Sequence, residues 1–230
     1  MKYDNIVRGR FIERINRFVA TVSLYGEVAR VHVKNTGRLK ELLKPGASVY
    51  LQRADSPGRS TEYDLVSVEA FLDGKTLLFN IDSMAPNLLA LEWLRESGLF
   101  SEKAIYKREV TVGASRLDIA VNDNDRITYV EVKGVTLDVD GIAYFPDAPT
   151  ARGTKHIREL SHLAENGSGA LLLFVLQMKR SGVLRPNRSA DPEFSRALTD
   201  AVKKGVRVIA IDCIVTPDSI IPDKEVPVEV

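Results

Sequence analysis

The chain has 230 residues, 44% hydrophobic and 27% charged, which suits one large or two small soluble globular domains. Lys and Arg number 32 against 31 Asp and Glu, a formal net charge of +1, so overall charge points to no partner and any basic surface is a local patch. The single cysteine, Cys213, excludes an internal disulfide and favours the reducing cytoplasm; the most apolar run, residues 171–176, is too short to span a bilayer, and the N-terminus lacks a signal-peptide core.

From Phe11 onward the chain reads as short strands. Phe18, Ala20, Val22 and Leu24 alternate with polar or small residues, and Ala29, Val31 and Val33 alternate with Arg30 and His32. Val49 and Leu51 flank Tyr50, a strand covers residues 62–71, and Leu77, Phe79 and Ile81 share a face of the last strand. Asp73-Gly74 marks a hairpin turn. Residues 35–46 interrupt the strands, with room for one short helical turn stopped by Pro45-Gly46. Five strands with such an interruption predict a small closed barrel of the OB kind; a generic five-stranded or SH3-like module fits the same pattern.

The period changes after residue 82. Leu88, Leu91, Glu92 and Arg95 fall at helical spacing, with Asn87 as N-cap and Gly98 past the end. Strands follow over 106–112, 115–121 and 127–133, then a hairpin over 135–145 turning near Asp140-Gly141. A helix over 154–165 buries Ile157, Leu160 and Leu163 or Ala164, and Asn166-Gly167 closes it. Residues 170–177 form a buried strand. Asp191-Pro192 opens a helix that ends at Gly205, and 206–213 is the final strand. This order predicts an α/β domain with a mixed sheet flanked by helices. The domains are then 1–82, the barrel, and 83–230, the α/β domain.

Residues 115–133 carry the chemistry. Two alternating arms flank the turn block Asn122-Asp123-Asn124-Asp125. The first arm holds Asp118. The second holds Glu131 and Lys133, two apart and so on one strand face. An antiparallel hairpin brings the two carboxylates together. A hard cation such as Mg²⁺ (or Mn²⁺) binds through one or two carboxylates plus substrate phosphate, and the Val132 carbonyl would add an oxygen. Lys133 would orient water and offset phosphate charge. Glu-x-Lys alone is an ordinary strand ion pair. With an upstream Asp and flanking helices it is similar to the PD-(D/E)xK nuclease core. Glu92, on the preceding helix, is then a further metal ligand, and Gln177, after the apolar strand, a catalytic residue near the metal-bound water.

The block from Phe145 to Leu160 is a rigid Pro- and Gly-containing loop running into a helix start. Helix N-termini attract phosphate, and Arg152, Lys155 and His156 would add donors. Positive charge there opposes the helix dipole, and anion binding explains the cost; an ordinary basic first turn is the plainer reading. In the barrel, Arg8, Arg10, Arg14 and Arg17 with Phe11, Phe18 and Tyr25 can supply a basic, stacking groove for single strands, although each aromatic taken singly reads as core. Arg17, Arg38 and Arg116 complete the nucleic-acid candidates.

Asn35-Thr36-Gly37-Arg38, Pro86-Asn87, Ser115-Arg116-x-Asp118, Glu131-Val132-Lys133-Gly134-Val135-Thr136-Leu137 and Phe145-Pro146-Asp147-Ala148-Pro149-Thr150-Ala151-Arg152-Gly153-x-Lys155-His156 together resemble the sugar fermentation stimulation protein A family. The resemblance runs across nearly the whole chain, departing at Asp82-Ser83 where the family has Asn-Thr. It implies an OB-like domain, a PD-(D/E)xK-like domain with Asp118, Glu131 and Lys133 as its triad, DNA binding without sequence preference, and regulation of sugar (maltose) metabolism. The expected function is DNA binding, single- or double-stranded, with Mg²⁺-dependent phosphodiester cleavage. A catalytically silent DNA-binding regulator is the alternative. Two acids facing phosphate would repel it without a metal, which favours metal binding. A sugar-binding or sugar-processing protein is disfavoured, since neither an aromatic carbohydrate platform nor a glycosidase-like acid pair is evident. No membrane partner is expected, and the oligomeric state, a homodimer included, is left open.

Overall fold

A computed structural model describes residues 1–54, 58–113 and 115–230. Six strands form the N-terminal part: β1 (Ile6–Arg14), β2 (Val19–Leu24), β3 (Glu27–Val33), β4 (Ser48–Arg53), β5 (Tyr63–Leu72) and β6 (Lys75–Asn80). Their order is β3-β2-β1-β4-β5-β6, and a parallel β3–β5 pairing closes the first five into a barrel of the OB kind. Alternation puts Phe11, Ala20, Val22, Val31, Val33, Val49, Leu51 and Leu65 inside. Tyr25-Gly26 and Asp73-Gly74 have positive φ at both positions, the turn geometry that matches strand twist in two-residue hairpins. Residues 35–46 hold one helical turn, in which the Leu43 amide donates to the Leu39 carbonyl at 2.8 Å, and a second turn follows at Pro45-Gly46.

β1 was not expected. A register shift between Phe11 and Glu13 breaks its alternation, and exposed arginines break the apolar pattern. The strand at 18–24 is therefore the barrel's second, and the sequence-based five included β6 in place of β1.

The remaining elements are α1 (Ala85–Glu96), β7 (Ile105–Val112), β8 (Ser115–Asp123), β9 (Arg126–Val135), β10 (Asp138–Val139), β11 (Ile142–Phe145), α2 (Ala151–Glu165), β12 (Gly169–Leu176), β13 (Val183–Pro186), α3 (Pro192–Lys203), β14 (Arg207–Thr216) and β15 (Ser219–Val226). The main sheet runs β15-β14-β12-β9-β8-β7. β7, β8 and β9 are antiparallel, whereas β9, β12 and β14 are parallel, so the sheet is mixed. β12 is buried along nearly its whole length, as a central strand covered on both faces must be. α2 packs on β9 and β12, and α3 on α2. Phe145 lies against Phe174 and Phe194, with ring centroids 5.3 and 5.1 Å away. β13 and β15 were also unexpected, so 206–213 is not the last strand. Asn87 is not the N-cap of α1: the helix starts at Ala85, and the Asp82 carboxylate accepts from the Met84 amide at 2.9 Å.

Two compact units result. One comprises Met1–Ala85 with Gln177–Arg180 and Cys213–Ile221; the other comprises Pro86–Leu176, Ser181–Asp212 and Pro222–Val230. The barrel unit ends within three residues of the boundary drawn after residue 82, then takes back two later segments. Among the described residues, no helix is long and apolar enough to cross a membrane.

Candidate functional site

The β8–β9 hairpin turns through Asn124-Asp125, both at positive φ, and pairs Asp123 with Arg126 through to Ile119 with Val130. Asp118 and Glu131 are the next residues on the two strands. Asp118 is fixed at both oxygens: Oδ2 accepts from the Val132 amide at 2.8 Å, and Oδ1 from Asn87 Nδ2 at 2.9 Å. Glu131 is 2% exposed. Its Oε1 accepts from Lys133 Nζ at 2.6 Å and also faces His156 Nδ1. Among the described residues, none meets its Oε2, which is buried without a hydrogen-bond partner.

The electrostatics divide the pair. Burial, and then repulsion from Glu131, push the Asp118 carboxyl above its ordinary value despite the Val132 amide, Lys133 and Asn87. Burial pushes Glu131 up too, but His156 and Lys133 outweigh it and hold that carboxyl below its ordinary value. Two neighbouring carboxylates, one destabilised as an anion and one presenting a buried, unpartnered oxygen, are chemically suited to a hard divalent cation. An oxygen in that state is costly unless something else meets it.

Glu92 does not complete a three-ligand set: among the described residues no cluster of three His, Cys, Asp or Glu side chains is placed to hold a metal. Five positions after Asn87, which reaches Asp118, it lies about 140° further round the helix. Gln177 is buried, and its amide nitrogen donates to Asn80 Oδ1 at 2.9 Å and to the Asp82 carbonyl at 3.0 Å, so both of its donor hydrogens are used inside the barrel unit.

The nucleic-acid candidates separate by surroundings. Arg17 and Arg38 are exposed and, with Lys40, rim a cavity of about 640 Å³ in the barrel unit that the buried Phe11 and Leu43 help to line. Arg14 donates to the carbonyls of Gly37, Asn35, Arg17 and Arg38 at 2.5–3.0 Å, which pins the walls of that cavity. Phe18 and Tyr25 are exposed, with the Arg17 guanidinium 5.7 Å from the Phe18 ring centre, whereas Phe11 is barrel core. Arg8 is held by Ser48 and Glu69, and Arg116 by Glu109 of the adjoining strand.

α2 begins at Ala151, earlier than expected, because Thr150 caps it: Thr150 Oγ1 accepts from the Gly153 amide at 3.1 Å. A Cβ at Gly153 would lie 2.8 Å from Thr150 Cγ2, so the cap needs glycine there. Arg152 and Lys155 are exposed on the opening turns. His156 is not: it is 6% exposed and turns inward to Glu131, which corrects its reading as a surface phosphate donor. Its spacing four before Leu160, a residue expected in the core, was the clue to that burial. Asn87 as a partner of Asp118 left no such clue.

Two family models match the chain: one described as the SfsA N-terminal OB domain over residues 12–75, the other as the sugar fermentation stimulation protein RE domain over residues 84–219. A sugar fermentation stimulation protein homolog of Ruminiclostridium cellulolyticum is 46% identical over 228 residues, covering 99% of each chain. One from Desulfitobacterium hafniense (strain Y51) is 48% identical over 220 residues, covering 96% of this chain and 94% of the other. The structure of Pyrococcus furiosus SfsA in complex with Ca²⁺ superposes with a TM-score of 0.85 at 31% identity, covering 100% of this chain and 98% of that one.

Proposed function

This chain belongs to the sugar fermentation stimulation protein family, and from that premise we propose that it is a cytoplasmic protein that binds DNA without sequence preference and holds a divalent cation, Mg²⁺ or Mn²⁺, at Asp118 and Glu131 for phosphodiester cleavage. The observation that carries this reading is the buried, unpartnered Glu131 Oε2 beside a carboxyl already pushed up by burial and by Glu131. The P. furiosus SfsA structure is a complex with Ca²⁺, which supports the reading, since Ca²⁺ and Mg²⁺ both take hard oxygen ligands. A bound cation would polarise a phosphate oxygen or lower the pKa of a water. The chain's own residues do the rest. The Val132 amide and Asn87 fix Asp118. Lys133, on a flexible stem, offsets phosphate charge. Arg152 and Lys155 on α2, and Arg17 and Arg38 in the barrel, grip the backbone.

A second reading has its own observation. Lys133 Nζ sits 2.6 Å from Glu131 and internally compensates its charge. On that reading the protein grips DNA without cutting it and acts as a regulator of sugar (maltose) metabolism.

Incubation with Mg²⁺ or Mn²⁺ on single-stranded, double-stranded and branched DNA separates the two. Cation-dependent cleavage that disappears in Glu131→Ala and Lys133→Ala is the expected result. Cleavage persisting in both variants excludes the assigned site. DNA binding that weakens steeply with salt but never leads to cleavage favours the silent regulator.

A further inference from the structure

We propose that His156 is the positioning residue that holds Glu131 by its Oε1, so that Oε2 stays presented to the cation while Lys133 is free to leave the carboxylate for the phosphate. The inference rests on the metal reading above and deepens it.

Two donors share Glu131 Oε1, and they differ in how firmly they are placed. Lys133 arrives on a four-carbon stem from the same strand, two residues on, with its side chain 16% exposed. That stem can swing away. His156 arrives from α2, with its side chain 8% exposed, between Thr154 and Ile157, which are also buried. Thr154 Oγ1 donates to the Thr150 carbonyl at 3.3 Å, and Ser161 Oγ to the Ile157 carbonyl at 3.0 Å, so the helix around the ring is internally tied. The buried ring has less room to swing than the lysine stem, and the helix that bears it packs on β9 and β12.

The proton is placed by its partner. Oε1 already accepts from the Lys133 ammonium, and a carboxylate oxygen has no hydrogen to give, so the contact is made with the hydrogen on His156 Nδ1. Both donors converge on one oxygen, and the other is left buried and unpartnered. Were Lys133 the only donor, its move toward a phosphate would strip Glu131 of every hydrogen bond and let the carboxylate rotate. With His156 in place, Glu131 keeps one fixed bond and its orientation. Partners of this kind typically contribute 10–100-fold in metal affinity.

The test is calorimetric titration of the full chain with MnCl₂ alone, with no DNA, beside circular dichroism and thermal melts. Asparagine places an amide donor near the Nδ1 position, whereas leucine fills the space without one. His156→Asn is expected to bind Mn²⁺ within a few-fold of the unmodified chain, and His156→Leu about 10–100-fold more weakly at an unchanged fold. Lys133→Met is expected to keep or tighten Mn²⁺ binding, since it removes a competing cation while His156 still holds Glu131. The double variant His156→Leu/Lys133→Met should be weaker than His156→Leu, because Glu131 then has no donor. His156→Leu binding as tightly as the unmodified chain overturns the proposal. So does a folded His156→Asn that is as weak as His156→Leu, or a Lys133→Met that loses affinity while His156 is intact. If His156→Leu fails to fold, that last arm can still overturn the proposal. Failure of the unmodified chain to bind Mn²⁺ or Mg²⁺ overturns the metal reading itself, and this inference with it.

Discussion

Asp118 is held by two donors and still strained as an anion, because burial and the Glu131 charge outweigh the Val132 amide, Lys133 and Asn87. An acid whose folded pKa is raised destabilises its own fold at pH above that value. The penalty is relieved as pH falls through the folded pKa, and is gone below the ordinary 3.8. Asp118→Asn should therefore stabilise the metal-free protein at neutral pH, by about 2–4 °C in Tm for each kcal/mol removed. Asparagine can keep both bonds: its carbonyl accepts from Val132, and its amide donates to Asn87 once the Asn87 amide turns over. Melts at pH 7 and near pH 3.5 check this, and the gain should vanish at the lower pH. A loss of stability at pH 7 would mean that the ionised carboxylate is favourable where it stands. The triad was legible because period-two alternation and a polar turn suffice to put Asp118, Glu131 and Lys133 together. The roles of His156 and Asn87 were not, because a helical side chain's partner depends on how the helix is rotated against the sheet.

The parallel β3–β5 pairing closes the barrel, and it carries its own ion cluster at the His32–Asp64 pair. Asp64 accepts from His32 Nδ1 at 2.9 Å and from the Arg59 guanidinium, and its side chain is 11% exposed. Burial pushes this carboxyl up, but Arg59 and His32, with Lys34 nearby, bring it below its ordinary 3.8. An acid depressed in this way stabilises the fold above its unfolded pKa, and the contribution is lost as pH falls through the folded value. Asp64→Asn should cost about 1.5–3 kcal/mol at pH 7, the worth of a hydrogen bond to a charged group. Denaturant melts should show that difference closing below pH 3.8; a difference independent of pH would place the effect in packing. Elements whose pattern is periodic and capped were legible: β12 from its apolar run, α3 from Asp191-Pro192, the hairpins from Asp73-Gly74 and Asp140-Gly141. β1 was hidden by a bulge at Phe11/Glu13 that breaks the period on which strand reading rests. β13, four residues long, and β15, rich in polar residues, gave too little pattern to see.

At the scale of the molecule, a charge of +1 conceals local asymmetry. Acids are buried at the sheet, while arginines rim a cavity in the barrel unit and stand exposed on α2. The order of the two folds could be read along the chain, but the return of Gln177–Arg180 and Cys213–Ile221 to the barrel unit could not. Those returns depend on partners distant in sequence: Gln177 with Asn80 and Asp82, Arg180 with Asp73 at 2.9 Å, and the Tyr3 amide with the Asp218 carbonyl at 2.8 Å. Asp82 is itself fully buried and paired with Lys34 at 2.8 Å, a pairing that strand periodicity does not encode. The proposed cation site is local by comparison, confined to the two carboxylates of the β8–β9 hairpin. Its most direct test is calorimetric titration of Mn²⁺ into the unmodified chain, Asp118→Asn and Glu131→Gln at neutral pH. A cation site at these two carboxylates predicts saturable binding by the unmodified chain that is abolished in both variants while their folds persist. Equal binding by all three, or none by the unmodified chain, would contradict it.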